Sequence, residues 1–217
     1  MSNFEGFIFD IDGTLTSTNE LIFATFRHVT EKYLNKKVTD EEIIAMFGPT
    51  EDVILKDWMN DDFEDARKDY LEFYKAKHHL LADIYPGIKE ILKYIKSKNI
   101  PLSIYTGKGR KSSLITLEKI GVIDLFDMIV TGDDIEGFKP SPEGINKFVE
   151  SYNLNREKVL MIGDAPADVT AARNAGVKIA SVLWDSYAKD KVLKMNSDYI
   201  FETVAELMKF LAANLEV

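Results

Sequence analysis

The feature that most constrains this chain is a short apolar run, Gly6 to Asp12 (GFIFDID), that ends in two acids and runs on into a glycine. A run this short and this apolar is expected of a strand buried on both faces, which delivers its polar residues at its C-terminal end. Similar runs recur at Pro101 to Tyr105, Met128 to Thr131, Val159 to Ile162 and Lys178 to Leu183, with segments of helical spacing between them. Strands that alternate with helices predict an α/β fold on a parallel sheet. Pro86 and Gly87 open one connecting helix, Ile88, Ile91, Leu92 and Ile95 form its apolar face, and Asn99 closes it. Gly121 and Gly176 are placed to stop two more.

Between Leu15 and about Ile84 the pattern changes to helical periodicity with no convincing strand, over a stretch far too long for one crossover. This predicts an inserted, all-helical module. Its first helix carries Ile22, Phe26, Val29 and Tyr33 on one face, and its last carries Phe63, Ala66, Tyr70, Phe73 and Tyr74. Thr39 with Glu42 reads as a capping box, and Phe47-Gly48-Pro49 breaks the helix that follows. The aromatic stripes are read as packing rather than as a cofactor site.

A chain of 217 residues suffices for one core domain carrying a smaller insertion. With no cysteine, disulfides, thiolate metal sites and cysteine nucleophiles are excluded, and a reducing compartment is the simplest home. The segment MSNFEGFIFD lacks the basic and long apolar regions of a secretion signal, and no stretch reaches membrane-spanning length, so a soluble cytoplasmic protein is expected. A net charge of −9 argues against nucleic acid or membrane as a partner.

In an open parallel sheet, ligands bind beyond the C-terminal strand ends. There stand Asp10-Ile11-Asp12-Gly13-Thr14, Thr106-Gly107-Lys108, Lys139-Pro140, and Gly163-Asp164-Ala165-Pro166-Ala167-Asp168. One D-x-D alone says little, because acids often end strands and cap helices. Four such sets at successive strand ends point to a site. Converging carboxylates repel one another, and a hard divalent cation with oxygen ligands, naturally Mg2+, relieves the repulsion. One carboxylate oxygen remains to attack phosphorus while cations and amides neutralise the transferring group.

These sets resemble the four motifs of the haloacid dehalogenase-like hydrolases: DxDGT, a Thr or Ser ending the second strand, a Lys before Pro, and GDxxxD. The resemblance spans the core and implies a Rossmann-like sheet over residues 1–15 and 85–217, with a small helical cap over 16–84 that excludes water and selects substrate. It implies that Asp10 is the nucleophile and Asp12 the general acid and base. Metal ligands would be the Asp10 side chain, the Asp12 carbonyl and Asp164, with Asp168 supporting the metal shell or Lys139. Gly13, Thr106, Gly107 and Lys139 would grip phosphate. It also points to Gly48-Pro49-Thr50-Glu51 as a cap loop reaching the site, the alternative being a bare turn between helices. Two positions depart from the commonest pattern: Leu15-Thr16-Ser17-Thr18 lacks the Asp or Asn that often follows DGTL, and Ala165 replaces Ser or Thr. His28, His78 and His79 are read as surface or packing residues, and Lys36 and Lys37 as solvated.

The resulting expectation is an Mg2+-dependent phosphatase, a phosphoric monoester hydrolase working on a small phosphorylated metabolite through an aspartyl-phosphate, as a monomer or weak homodimer. Asp12 disfavours dehalogenation, which expels halide and needs no acid there. A phosphomutase would use the same residues with a sugar phosphate as acceptor. A phosphonatase would need a cap lysine, for which Lys36, Lys37 and Lys56 are available. The start of the insertion, Thr18 to Ile22 with Phe26 and His28, looks like a pyrophosphatase of this superfamily, and the TGKGR run like a phosphoglycolate or nucleotide phosphatase. A retired, non-catalytic binding protein should have lost one of Asp10, Asp12, Lys139 or Asp164, and all are present. A dinucleotide-dependent oxidoreductase would carry G-x-G-x-x-G after the first strand, where DIDGTL stands.

Overall fold

The computed structural model describes residues 3–215. Six parallel strands form one sheet: β1 (Gly6–Phe9), β2 (Leu102–Tyr105), β3 (Met128–Val130), β4 (Val159–Gly163), β5 (Lys178–Val182) and β6 (Tyr199–Phe201), in the order β3-β2-β1-β4-β5-β6. The chain lays β2 and β3 outward from β1 and then returns to β1's other edge with β4. Strand order therefore reverses at β1, where an open α/β sheet leaves a crevice beyond its C-terminal ends. In register, Phe7 lies beside Leu102 on one side and Leu160 on the other.

Successive strand residues face opposite sides, so the sheet has two cores. Phe7, Phe9, Ile104 and Ile162 pack with α5 (Ile88–Ser97), α6 (Arg110–Lys119) and α10 (Val204–Leu215). Ile8, Met161 and Ile179 pack with α7 (Glu143–Ser151), α8 (Pro166–Ala175) and α9 (Lys189–Leu193). The central strands are buried on both faces, which is why they read as unbroken apolar runs. The sequence runs and the strands differ at two places. β1 ends at Phe9, so Asp10 to Asp12 already lie in the loop, and β6 escapes detection because it has only three residues, with Ile200 exposed at the sheet edge.

The long insertion holds α1 (Asn19–Leu34), α2 (Asp40–Ile44), α3 (Glu51–Met59) and α4 (Phe63–Leu81). Thr39 and Glu42 form the expected capping box at α2. Phe26 of α1 meets the Tyr70 ring of α4 edge-on at 5.1 Å, inside a separate apolar core with Leu21, Val29, Leu55 and Ala66. Each buried leucine, valine or phenylalanine there contributes roughly 2 kcal/mol. The insertion leaves and rejoins the sheet at one place: Ser17 N donates to the Asp83 carbonyl at 2.9 Å, and Thr16 bridges Ile84. Among the described residues, no helix is long and apolar enough to cross a membrane.

Candidate active site

The loop after β1 carries Asp10, and three other strand ends bring their polar groups to it. The Lys139 ammonium donates to Asp10 Oδ1 at 2.8 Å and to Asp168 Oδ1 at 2.6 Å, and sits 4.9 Å from the Tyr105 ring centre. Asp168 is the third residue of α8, where the other carboxylate oxygen, Oδ2, accepts from Ala165 N at 3.0 Å. That is the half of a capping arrangement that an alanine N-cap permits. Asp164 Oδ1 accepts from Thr14 Oγ1 at 3.1 Å. Close packing fixes these acids from behind. A Cβ at Gly163 would lie 2.3 Å from Asp168 Oδ2, and one at Gly13, whose φ is +77°, would lie 2.6 Å from Asp164 Oδ2. Gly13 therefore backs Asp164 and is not among the residues lining the cleft.

Asp12 points to the other side. Lys108 Nζ donates to its Oδ1 at 3.1 Å and its Oδ2 at 3.2 Å, and Thr18 Oγ1 donates to Oδ1. Thr18 stands next to the position where the commoner pattern has Asp or Asn. Lys108 lies 4.8 Å from the Tyr74 ring centre, while the Tyr74 hydroxyl shares a 2.7 Å hydrogen bond with Thr116 Oγ1. Thr106 Oγ1 accepts from Lys108 N at 3.2 Å, and Thr106 and Gly107 line the cleft between the two carboxylates.

Burial and the neighbouring charges dominate the electrostatics. Burial pushes Asp10 up to about 7, against the pull of Lys139 and with added pressure from Asp168 and Asp12. Asp164 is raised well above the usual carboxylate range by burial and then by Asp168 and Asp10. Burial works against the charges of Lys139 and Lys108, yet their carboxylate partners outweigh it and both are raised.

Asp10, Asp164 and Asp168 each offer an oxygen, all within 4.8 Å of one another. An all-oxygen set of strained, buried carboxylates suits Mg2+ and offers nothing to a thiolate-seeking metal. Asp168 has one oxygen on Lys139 and the other on Ala165 N, so Asp10 and Asp164 keep the freer oxygens.

A stability prediction follows from the raised acids. Between about pH 4 and pH 7 the folded state keeps protons that the unfolded chain has lost, so stability falls as pH rises through that window. In EDTA the melting temperature is expected to rise as pH is lowered from about 8 to about 6, and saturating Mg2+ should raise it most at the higher pH. A melting temperature in EDTA that does not respond to pH, together with no shift by Mg2+, would contradict this reading of the acids.

The insertion forms the opposite wall. Gly48, Pro49 and Glu51 line a cleft of about 200 Å³ with Asp10, Asp12 and both lysines. Thr50 turns away and packs its methyl group at Gly132. Glu51, 7% exposed, accepts from Gly109 N at 2.8 Å and from Ser112 Oγ, which clamps α3 to the loop after β2. The sequence reading assigned Lys108 no role, and it missed Asn19 and Tyr187; Tyr187 meets Phe47 edge-on at 5.9 Å at the cleft mouth. The TGKGR run was the one signal for Lys108, but its pairing with Asp12 spans 96 positions. The histidines stay out of the cleft: His28 stacks on Phe73 at 4.3 Å, and His78 is buried edge-on to Tyr74. Lys36 pairs with Glu42, Lys37 is solvated, and neither they nor Lys56 line the cleft.

The sequence pattern of the haloacid dehalogenase-like hydrolases matches residues 7–182, from β1 through β5. The chain belongs to that family. This hydrolase is 32% identical over 204 or fewer residues to curated relatives; one, the pyrophosphatase PpaX of Halalkalibacterium halodurans, aligns over 201 residues, 93% of this chain and 94% of that protein. The pyrophosphatase PpaX of Bacillus pumilus is 30% identical over 211 residues, 95% of this chain and 96% of that protein. Among solved structures, a predicted phosphoglycolate phosphatase from Haemophilus somnus superposes with a TM-score of 0.86 at 22% identity, over 97% of this hydrolase and 99% of that chain. At that identity the likeness speaks for the fold.

Proposed function

We propose that this hydrolase is an Mg2+-dependent phosphatase of small phosphorylated metabolites, with Asp10 as nucleophile and residues 16–84 as its cap. The observation that carries the reading is the Lys139 bridge between Asp10 and Asp168. It holds one Asp10 oxygen, favours the charged carboxylate against the opposing push of burial, and offers a cation to a phosphoryl oxygen that develops charge. Asp10 attacks phosphorus, a new O–P bond forms, and the bond to the leaving oxygen breaks as Asp12 gives that oxygen a proton. Water then attacks the phosphorus of the aspartyl-phosphate. Asp12 takes the water's proton, the bond to Asp10 breaks, and phosphate leaves. Thr106, the Gly107 amide and Lys139 hold the phosphoryl oxygens. Asp10, Asp164 and the Asp12 carbonyl would hold Mg2+, which would supply charge neutralisation for the transferring group. Asp168 acts on Lys139.

The absence of Lys36, Lys37 and Lys56 from the cleft lining argues against phosphonatase chemistry on this chain. The test is phosphate release from p-nitrophenyl phosphate, pyrophosphate, phosphoglycolate, sugar phosphates and nucleoside monophosphates, with Mg2+ or EDTA. Release that requires Mg2+ is expected. A folded protein that releases phosphate from none of them would overturn the reading.

A further inference from the structure

Lys108 is a buried cation that the phosphatase chemistry above does not use. Its side chain is 5% exposed, it donates to both Asp12 oxygens, and it faces the cleft. Asp12 is already oriented by Thr18 Oγ1, so a neutral residue at 108 could complete the positioning at lower desolvation cost. The charge itself needs an explanation.

Location supplies one. Lys139 stands with Asp10 and Asp168, on the side of the transferred phosphoryl group, whereas Lys108 stands with Asp12, the acid that protonates the leaving oxygen. Two cations thus flank the bond that breaks, one for each half of the substrate. The remaining wall comes from the insertion and is mostly apolar, with Ile22, Phe26, Phe47, Pro49 and Ile54 beside Asn19, Gly48 and Tyr70. No lysine or arginine of the insertion is among the described lining residues. Glu51 has both oxygens occupied by Gly109 and Ser112. A sugar or other polyol would bury several hydroxyl groups against this wall, whose polar side chains are Asn19 and Tyr70. A compact group with one negative charge beside the bridging oxygen would meet Lys108.

Resting on the phosphatase reading, we propose that Lys108 is an anion subsite selecting small substrates with a second anionic group close to the transferred phosphorus. The second group is a phosphate, as in pyrophosphate, or the carboxylate of a short phosphorylated hydroxy acid. When the bond between phosphorus and the leaving oxygen breaks, that oxygen takes the Asp12 proton, and Lys108 holds the departing anion by a charge-assisted hydrogen bond.

Matched substrates test this. Wild type is expected to favour phosphoglycolate over the similarly sized 2-hydroxyethyl phosphate, whose leaving group carries no carboxylate, by about tenfold or more in kcat/KM, with pyrophosphate separating the two anion types. In Lys108→Met that preference should collapse toward unity, chiefly through KM for the anionic compounds, and Lys108→Arg should restore part of it. A preference unchanged in Lys108→Met would mean that Lys108 only positions Asp12, and the proposal would fail. Should that variant not fold, inhibition of wild type at fixed free Mg2+ decides. Methylenediphosphonate is expected to inhibit about tenfold more tightly than methylphosphonate, and equal inhibition refutes the subsite. Failure of the phosphatase reading looks different, because wild type would then cleave none of the compounds, with or without a second anionic group.

Discussion

Asp10→Asn is expected to fold normally and to lower kcat on every substrate by at least about 10⁴-fold, since an amide cannot deliver the oxygen that bonds phosphorus. The fold should tolerate the change because Asp10 is held in an unfavourable place, pushed up to about 7 by burial and by Asp168 and Asp12. Removing one of the mutually repelling carboxylates leaves Lys139 its second partner, Asp168, at 2.6 Å. The variant should therefore melt in EDTA at pH 8 no lower than wild type, about the pH where the acid repulsion is greatest. Rates and melting curves on the same preparation separate the outcomes. Activity within about tenfold of wild type would remove Asp10 from the reaction, and a large loss of stability would mean that the Asp10–Lys139 pair holds the fold.

Lys139→Met is expected to fail in the opposite way, losing stability as well as activity. Its side chain is 6% exposed and its ammonium is shared by two buried carboxylates, so truncation strands both. Breaking a buried pair by removing one partner costs about 3–5 kcal/mol, which for a chain of this size lowers the melting temperature by roughly 10 °C. Combining Lys139→Met with Asp10→Asn should recover part of that loss, because one stranded charge is gone. A double variant whose loss is the sum of the single losses would show that the two groups do not interact.

Much of the sheet was legible in the sequence because central parallel strands are buried on both sides, and short apolar runs such as VLMI at β4 have few other uses. The edge strand β6 was not, since three residues with Ile200 facing solvent leave no such signature. Asp10, Asp12, Thr106, Asp164 and Asp168 were legible as candidates because each sits close beyond a recognisable strand end, whereas Lys139, in the long loop after β3, was legible from its place before Pro140. Which of them pair was not. The split into an Asp10–Lys139–Asp168 group and an Asp12–Lys108–Thr18 group depends on side-chain direction, which local periodicity does not encode. The clamp of Glu51 on Gly109 and Ser112 joins segments 58 and 61 positions apart, and nothing around Glu51 announces it.

The meeting of Ser17 with Asp83 and of Thr16 with Ile84 has a consequence for how such a chain can change over evolutionary time. Because the insertion departs and returns through neighbouring backbone segments, the sheet sees everything between them as a single closed loop. Lengthening, shortening or exchanging that loop leaves the register of β1 with β2 and β4 untouched, and the cost of closing it grows only slowly with its length. The wall that the insertion lends to the cleft can therefore change while Asp10, Asp12, Lys108 and Lys139 keep their places at the sheet, and a wholly different wall could be grafted on at this one junction.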